Sequence, residues 1–108
     1  MKRQELANYF GPTLKACFQN SNFDCGLLSE VRVRADKPLI IKLGVEEFFL
    51  DREGGLCERP DLAYRPGKAE IQHALELMCE RSMYAYEEDL KKGFIILLEI
   101  KLFTIKEN

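Results

Sequence analysis

Cys17, Cys25, Cys57 and Cys79, together with His73, are the residues of this 108-residue chain best suited to metal or thiol chemistry. A structural zinc centre needs four such ligands converging, its cysteines usually in closely spaced pairs. No CxxC pair occurs, and His73 is the single histidine. The spacing therefore predicts no metal centre. Nucleophilic catalysis fares no better, because a serine or cysteine needs a basic partner to activate it. The one histidine falls on the polar side of a predicted helix. The cysteines read as reduced packing residues of a cytoplasmic protein, in keeping with how often free cysteine is buried.

Phosphate chemistry is equally unsupported. The chain has no GxxxxGK[ST], so it lacks both the backbone cradle and the lysine of a P-loop. "IILLE", residues 95–99, resembles the apolar strand whose terminal acid positions magnesium beside such a loop. Without the loop it reads as an ordinary strand. Gly54-Gly55 is too isolated to be a phosphate site, and Glu46-Glu47 and Glu87-Glu88 suit a turn and a helix surface. The sequence thus predicts no catalytic residue, no cofactor and no autonomous enzyme.

One polar constellation stands out. Arg32, Arg34 and Lys42 fall on one face of two adjacent predicted strands, together with Ile40. Long basic side chains there could simply cover apolar surface with their stems. Guanidinium forks also suit carboxylate and phosphate, which makes Arg32, Arg34 and Lys42 candidate partner-binding residues. A small nucleic-acid-binding module is the alternative reading of the same face. The formal net charge of -2 and the absence of aromatic residues among these cations count against it.

The elements that must carry these residues follow from periodicity. Leu6, Tyr9, Phe10, Leu14, Cys17 and Phe18 recur at helical steps, broken by Gly11-Pro12, which predicts a kink or two short helices. Val31, Val33 and Ala35 alternate with Arg32 and Arg34, and Leu39, Ile41 and Leu43 alternate with Ile40 and Lys42. That two-residue period predicts strands with one buried face, and a third follows after Gly44 to make a meander. Residues 52–67, "REGGLCERPDLAYRPG", show no period and read as a long surface loop. Ile71, Ala74, Leu75 and Met78 mark the buried stripe of a further helix. "YAYEEDLKKG" predicts a second, short helix with Glu87 and Glu88 one turn before Lys91 and Lys92, and a glycine stop at Gly93. Phe94 to Ile105 then reads as one long strand or two.

These elements predict a single α+β domain: an N-terminal helix, an antiparallel strand meander, two helices and a C-terminal strand. The length allows one modest core, and the 46% hydrophobic content is enough to fill it. No stretch is long and apolar enough to predict an integral membrane segment. The N-terminus, "MKRQELANYF", lacks the apolar core of a secretory signal.

Two stretches resemble a known family. "SEVRVRADKPLIIKLG" is similar to the "EIRLR…RPL" strand–turn–strand signature of stage III sporulation protein AA. "SMYAYEEDLKKGFI" resembles that family's "SxYAYEEELRxGFIT" signature, at a compatible distance. The similarity runs from about Met1 to Ile95. Proteins of this family resemble secretion ATPases and act at the channel between mother cell and forespore during endospore formation. The resemblance implies that this chain corresponds to the non-catalytic N-terminal interaction or assembly part, on the mother-cell side. Its implied partners are other sporulation-channel proteins, with no nucleic acid. After "GFI" the family continues with a glycine-rich segment and then the P-loop, whereas this chain has "ILLEIKLFTIKEN". That departure reads as a truncated member with the ATPase domain absent. A fragment with no independent function is the further alternative.

The C-terminal run carries one more expectation. A continuous strand from Phe94 to Ile105 would extend about 40 Å, longer than a domain of this size is wide. It must fold back on itself or project and offer an unpaired edge. Self-association is therefore expected through Glu99, Ile100, Lys101, Leu102, Phe103 and Ile105, most simply as a two-fold dimer.

Overall fold

The computed structural model describes residues 2–80, 93–98 and 101–106. The break at Gly11-Pro12 divides the first helical stretch into α1, Lys2–Ala7, and α2, Pro12–Gln19. Gly11 is extended, and Pro12 opens α2, a position where its missing amide leaves no bond unmade. Leu6, Leu14, Cys17 and Phe18 are fully buried, and the Phe10 and Phe18 rings meet with centroids 5.1 Å apart. Each large apolar side chain so buried contributes roughly 1.5–3 kcal/mol.

A short 3-10 turn, Cys25–Leu27, is capped by the Asp24 carboxylate, which accepts the Gly26 amide at 2.9 Å. The expected meander follows as β1 (Leu28–Val33), β2 (Ile40–Leu43) and β3 (Glu46–Leu50), paired antiparallel. Gly44 makes the β2–β3 turn with φ of 63°, in the left-handed region that glycine enters without steric cost. A two-residue β4, Leu56–Cys57, pairs with the end of β3. Helix α3 spans Lys68–Glu80 and is followed by β5 (Gly93–Leu98) and β6 (Lys101–Lys106).

These strands form one six-stranded sheet in the order β4-β3-β2-β1-β5-β6. All neighbours are antiparallel except β1 and β5, which run parallel, Val31 opposite Ile96. Val31, Val33, Ile41, Leu50 and Ile96 share one face of that sheet. They join Leu6, Leu14, Phe18, Ile71 and Ala74 of the three helices in a single core. The fold is thus a two-layer α+β domain with all three described helices on one side.

One alternative left open by the sequence is resolved, and one expectation is corrected. The C-terminal run is a hairpin: β5 and β6 pair from Gly93 opposite Lys106 to Leu98 opposite Lys101. Each six-residue arm is about 20 Å long, which fits within a molecule measuring 35 × 28 × 23 Å. The stretch over 52–67 is not a loose surface loop. Gly54 is buried against the end of α2, the Tyr64 amide donates to the Leu50 carbonyl at 2.9 Å, and the Leu39 amide donates to the Tyr64 carbonyl at 2.9 Å. Backbone bonds tie it to the sheet although its side chains show no period. The second predicted helix, with Glu87, Glu88, Lys91 and Lys92, lies outside the described residues. So do Glu99 and Ile100.

Candidate functional site

The sheet face opposite the helices is built from alternate positions of the meander. Glu30 lies opposite Lys42, Arg32 opposite Ile40, Lys42 opposite Glu47, and Ile40 opposite Phe49. Strand alternation therefore puts Arg32 and Lys42 on one face with Ile40. The same register also places two carboxylates among them, Glu30 and Glu47, which sequence reasoning did not connect to these cations. The signal was present in the alternation of β3, where Glu47 and Phe49 share a face once the turn at Gly44 fixes the register.

Arg32 is held by both acids. Its Nε donates to Glu30 Oε2 on the same strand, and its Nη2 donates to Glu47 Oε2 at 2.9 Å across β2. The Glu30 hydrogen bond is the main cause that holds the guanidinium above its ordinary pKa. The fork thus reaches from β1 across β2 to β3, and Ile40, the register partner of Arg32, is only 9% exposed. A pair this close to solvent is worth at most about 1 kcal/mol. Its chemical consequence is larger than its energy, because two carboxylates offset the charge of Arg32 while occupying only its Nε and Nη2 donors, two of the five a guanidinium carries.

Lys42 and Arg34 differ from Arg32. Lys42 sits between Glu30 and Glu47 in register but makes no ion pair among the described residues. Arg34 lies one residue past the end of β1, half-buried, with its Nε shielded from solvent and without a hydrogen-bond partner. Four residues of strand separate Arg34 from Glu30, the register partner of Lys42, which is about 13 Å. The three cations share a sheet region, but they do not converge on one small anion. The face offers a mixed surface: a neutralised Arg32, two cations at separate places without an ion pair among the described residues, and a half-buried Phe49 beside Ile40.

A second polar cluster lies inside, where the 51–67 connection meets α2 and α3. The Tyr64 hydroxyl donates to Glu70 Oε2, and the Gly67 amide donates to the same oxygen at 3.0 Å, closing the first turn of α3. Glu70 Oε1 is buried without a partner. The Arg52 guanidinium stands 6.0 Å from the centre of the Tyr64 ring, and the Cys17 thiol donates to the Arg52 carbonyl at 3.3 Å. Burial first, and the Glu70 carboxylate second, push the Cys17 thiol up to about 11. Burial and the Glu70 hydrogen bond also push the Tyr64 phenol upward. A thiol held protonated is a poor nucleophile, so Cys17 is a packing residue, as read from the sequence. His73 is exposed, with its ring beside Gly11.

Among the described residues no group of three His, Cys, Asp or Glu could hold a metal. No described helix is long and apolar enough to cross a membrane. What the fold and this face define is a small two-layer α+β domain whose charges are arranged as surface pairs around an apolar strip. The chain matches the family described as "Sporulation stage III, protein AA" over residues 1–101, and it belongs to that family. No curated protein and no solved structure matches it.

Proposed function

We propose that this chain is a non-catalytic assembly domain of a secretion-ATPase-like sporulation protein, docking to a protein partner of the sporulation channel through the outer sheet face. Family membership supplies the sporulation setting. The observation that carries the docking reading is the one-sided packing of the sheet. All three described helices join the core on one face, while the other carries a half-buried Phe49 among Arg34, Lys42 and Glu47, beside an Ile40 that is only 9% exposed. A face with both signs of charge around an apolar strip suits a protein partner of similar mixed character. It suits a nucleic acid poorly, because Glu30 and Glu47 neutralise the central arginine and would repel phosphates.

The test is a strain of the organism that encodes the chain, carrying Arg34→Glu with Lys42→Glu in place of the natural residues. A docking loss of about 1.4 kcal/mol weakens association tenfold, and heat-resistant spore counts should fall with it while the protein accumulates to its usual level. Neither side chain makes an ion pair among the described residues, but Lys42→Glu would stand opposite both Glu30 and Glu47. Lys42→Gln with Arg34→Gln is therefore the companion strain that separates lost docking from like-charge repulsion within the sheet. Undiminished spore formation at normal protein level would exclude docking through this face. Magnesium-dependent ATP turnover by the purified chain would exclude the non-catalytic assignment.

A further inference from the structure

We propose that β6 is a self-pairing edge, joining two copies of this chain through an antiparallel β6–β6 seam centred on Thr104. The proposal stands apart from the docking reading, which uses the outer face of β1 to β3 rather than a strand edge and survives if the seam does not exist. It also does not follow from the family match, which ends at Lys101, where β6 begins.

The topology supplies the edge. Among the described residues, β1, β2, β3 and β5 each have a strand on both sides, and β6 has only β5. β6 is laddered to β5 over all six of its residues, so it is held straight and extended along its full length. Its outward row of amides and carbonyls has no described strand beside it. The other end of the sheet is different, because β4 is two residues long and such short edges discourage strand addition. Among the described strands, the edge long enough to template another is therefore β6.

Charge and register then select the occupant. Lysines at both ends of β6, Lys101 and Lys106, would ordinarily guard an edge against its own kind. Residues opposite one another in an antiparallel seam share a face of the sheet, and a two-fold axis through the seam must therefore pass through a residue opposite its own counterpart. Lys101 pairs with Leu98 and belongs to the face of Ile96. Lys106 pairs with Gly93 and belongs to the other face. The two lysines are five positions apart in the strand, an odd number, so no symmetric register sets Lys101 opposite Lys106. The guard that would repel a shifted or foreign basic strand does not act on a second copy.

Of the symmetric registers that use most of the strand, one is centred on Phe103 and one on Thr104. The first sets Phe103 opposite Phe103, with Leu102 opposite Thr104 and Lys101 opposite Ile105. The second sets Thr104 opposite Thr104, Phe103 opposite Ile105 on both sides of the axis, and Leu102 opposite Lys106. Threonine pairs and aromatic pairs with β-branched residues are favoured cross-strand combinations. The Thr104 register has three of these, against one aromatic pair in the Phe103 register. The result is a closed two-fold dimer with one continuous sheet.

The experiment uses the full chain and two charge variants at the axis, Thr104→Lys and Thr104→Glu. Sedimentation equilibrium at micromolar concentration should show the natural chain in monomer–dimer equilibrium. Each variant alone places like charges opposite each other and should weaken the dimer at least tenfold. An equimolar mixture should recover it, because lysine then faces glutamate. Circular dichroism checks that both variants are folded. Hydrogen exchange on the natural chain supplies a readout that needs no variant: alternate amides of β6 should lose protection on dilution. A natural chain that stays monomeric at high micromolar concentration overturns the proposal, as does an open series of larger species. Variants that dimerise like the natural chain, a mixture that fails to recover, or β6 protection independent of concentration overturn it equally.

Discussion

Cys17 lies fully buried where α2 meets the 51–67 connection, and its thiol is pushed from 9.0 up to about 11. That shift is a statement about stability. The folded state keeps a proton that the unfolded chain begins to release near pH 9, so the contribution is complete below pH 9 and is lost as pH rises through about 11. The urea midpoint of the natural chain should accordingly fall between pH 9 and pH 11. Cys17→Ala should lower the midpoint at every pH through the lost packing, yet its decline over that window should be shallower. Tyr64, also shifted upward, sustains part of the slope in both proteins. A decline in Cys17→Ala as steep as in the natural chain would remove the thiol as its cause. The inertness of this cysteine was legible in the sequence, from its place on an apolar helix face. The engagement of Arg32 was not, because its acid on β3 is fifteen residues away and becomes a neighbour only through the register of two turns.

The 51–67 connection shows what periodicity misses at the level of elements. The meander was readable because Val31 and Val33 alternate with Arg32 and Arg34, and the helix break because proline cannot donate at Pro12. The connection has no repeating pattern, and its order comes from single contacts. Asp51 Oδ1 accepts the amides of Glu53 and Gly55 at 2.9 and 2.8 Å, which folds the chain back so that Gly54 rests on the end of α2. Gly54 has φ of 91°, and a Cβ there would stand 2.7 Å from the Cys17 carbonyl oxygen and from the Ser21 amide nitrogen. Backbone atoms cannot swing aside as a flexible side chain would. Gly54→Ala therefore combines an unfavourable dihedral with a clash and should cost more than about 1 kcal/mol. Gly44, with φ of 63° but nothing within 4 Å of its would-be Cβ, isolates the dihedral part. Gly44→Ala should cost about 1 kcal/mol or less. Denaturant midpoints of the two variants give the comparison, and equal losses would show that Gly54 is not wedged against α2.

At the scale of the molecule, alternation tells which face a strand buries but not which strand lies beside it. The parallel pairing of β1 with β5 joins residues 30–33 to 95–98, across the third strand, the 51–67 connection and α3. No local signal in either strand specifies that neighbour. The apolar run at 94–98 is nevertheless what such a position requires, because a strand flanked on both sides within a sheet is buried more completely than an edge. Ile96 is the described test of this arrangement: it is 0% exposed and lies opposite Val31 in the common core. Truncation to alanine should leave a cavity that the sheet, held by ladders to β1 and β6, closes poorly, at a cost of about 2–5 kcal/mol. That is a large part of the 5–15 kcal/mol expected for a domain of this kind. If β5 belongs to the same cooperative unit as the helices, far-UV circular dichroism and tyrosine fluorescence should report one coincident, shifted transition in Ile96→Ala. Val45→Ala, at a side chain 90% exposed in the β2–β3 turn, supplies the control and should change stability by about 0.5 kcal/mol or less. Separate transitions for the two probes would show that the C-terminal hairpin unfolds independently. A midpoint for Ile96→Ala no lower than that of the control would show that β5 contributes nothing to the core.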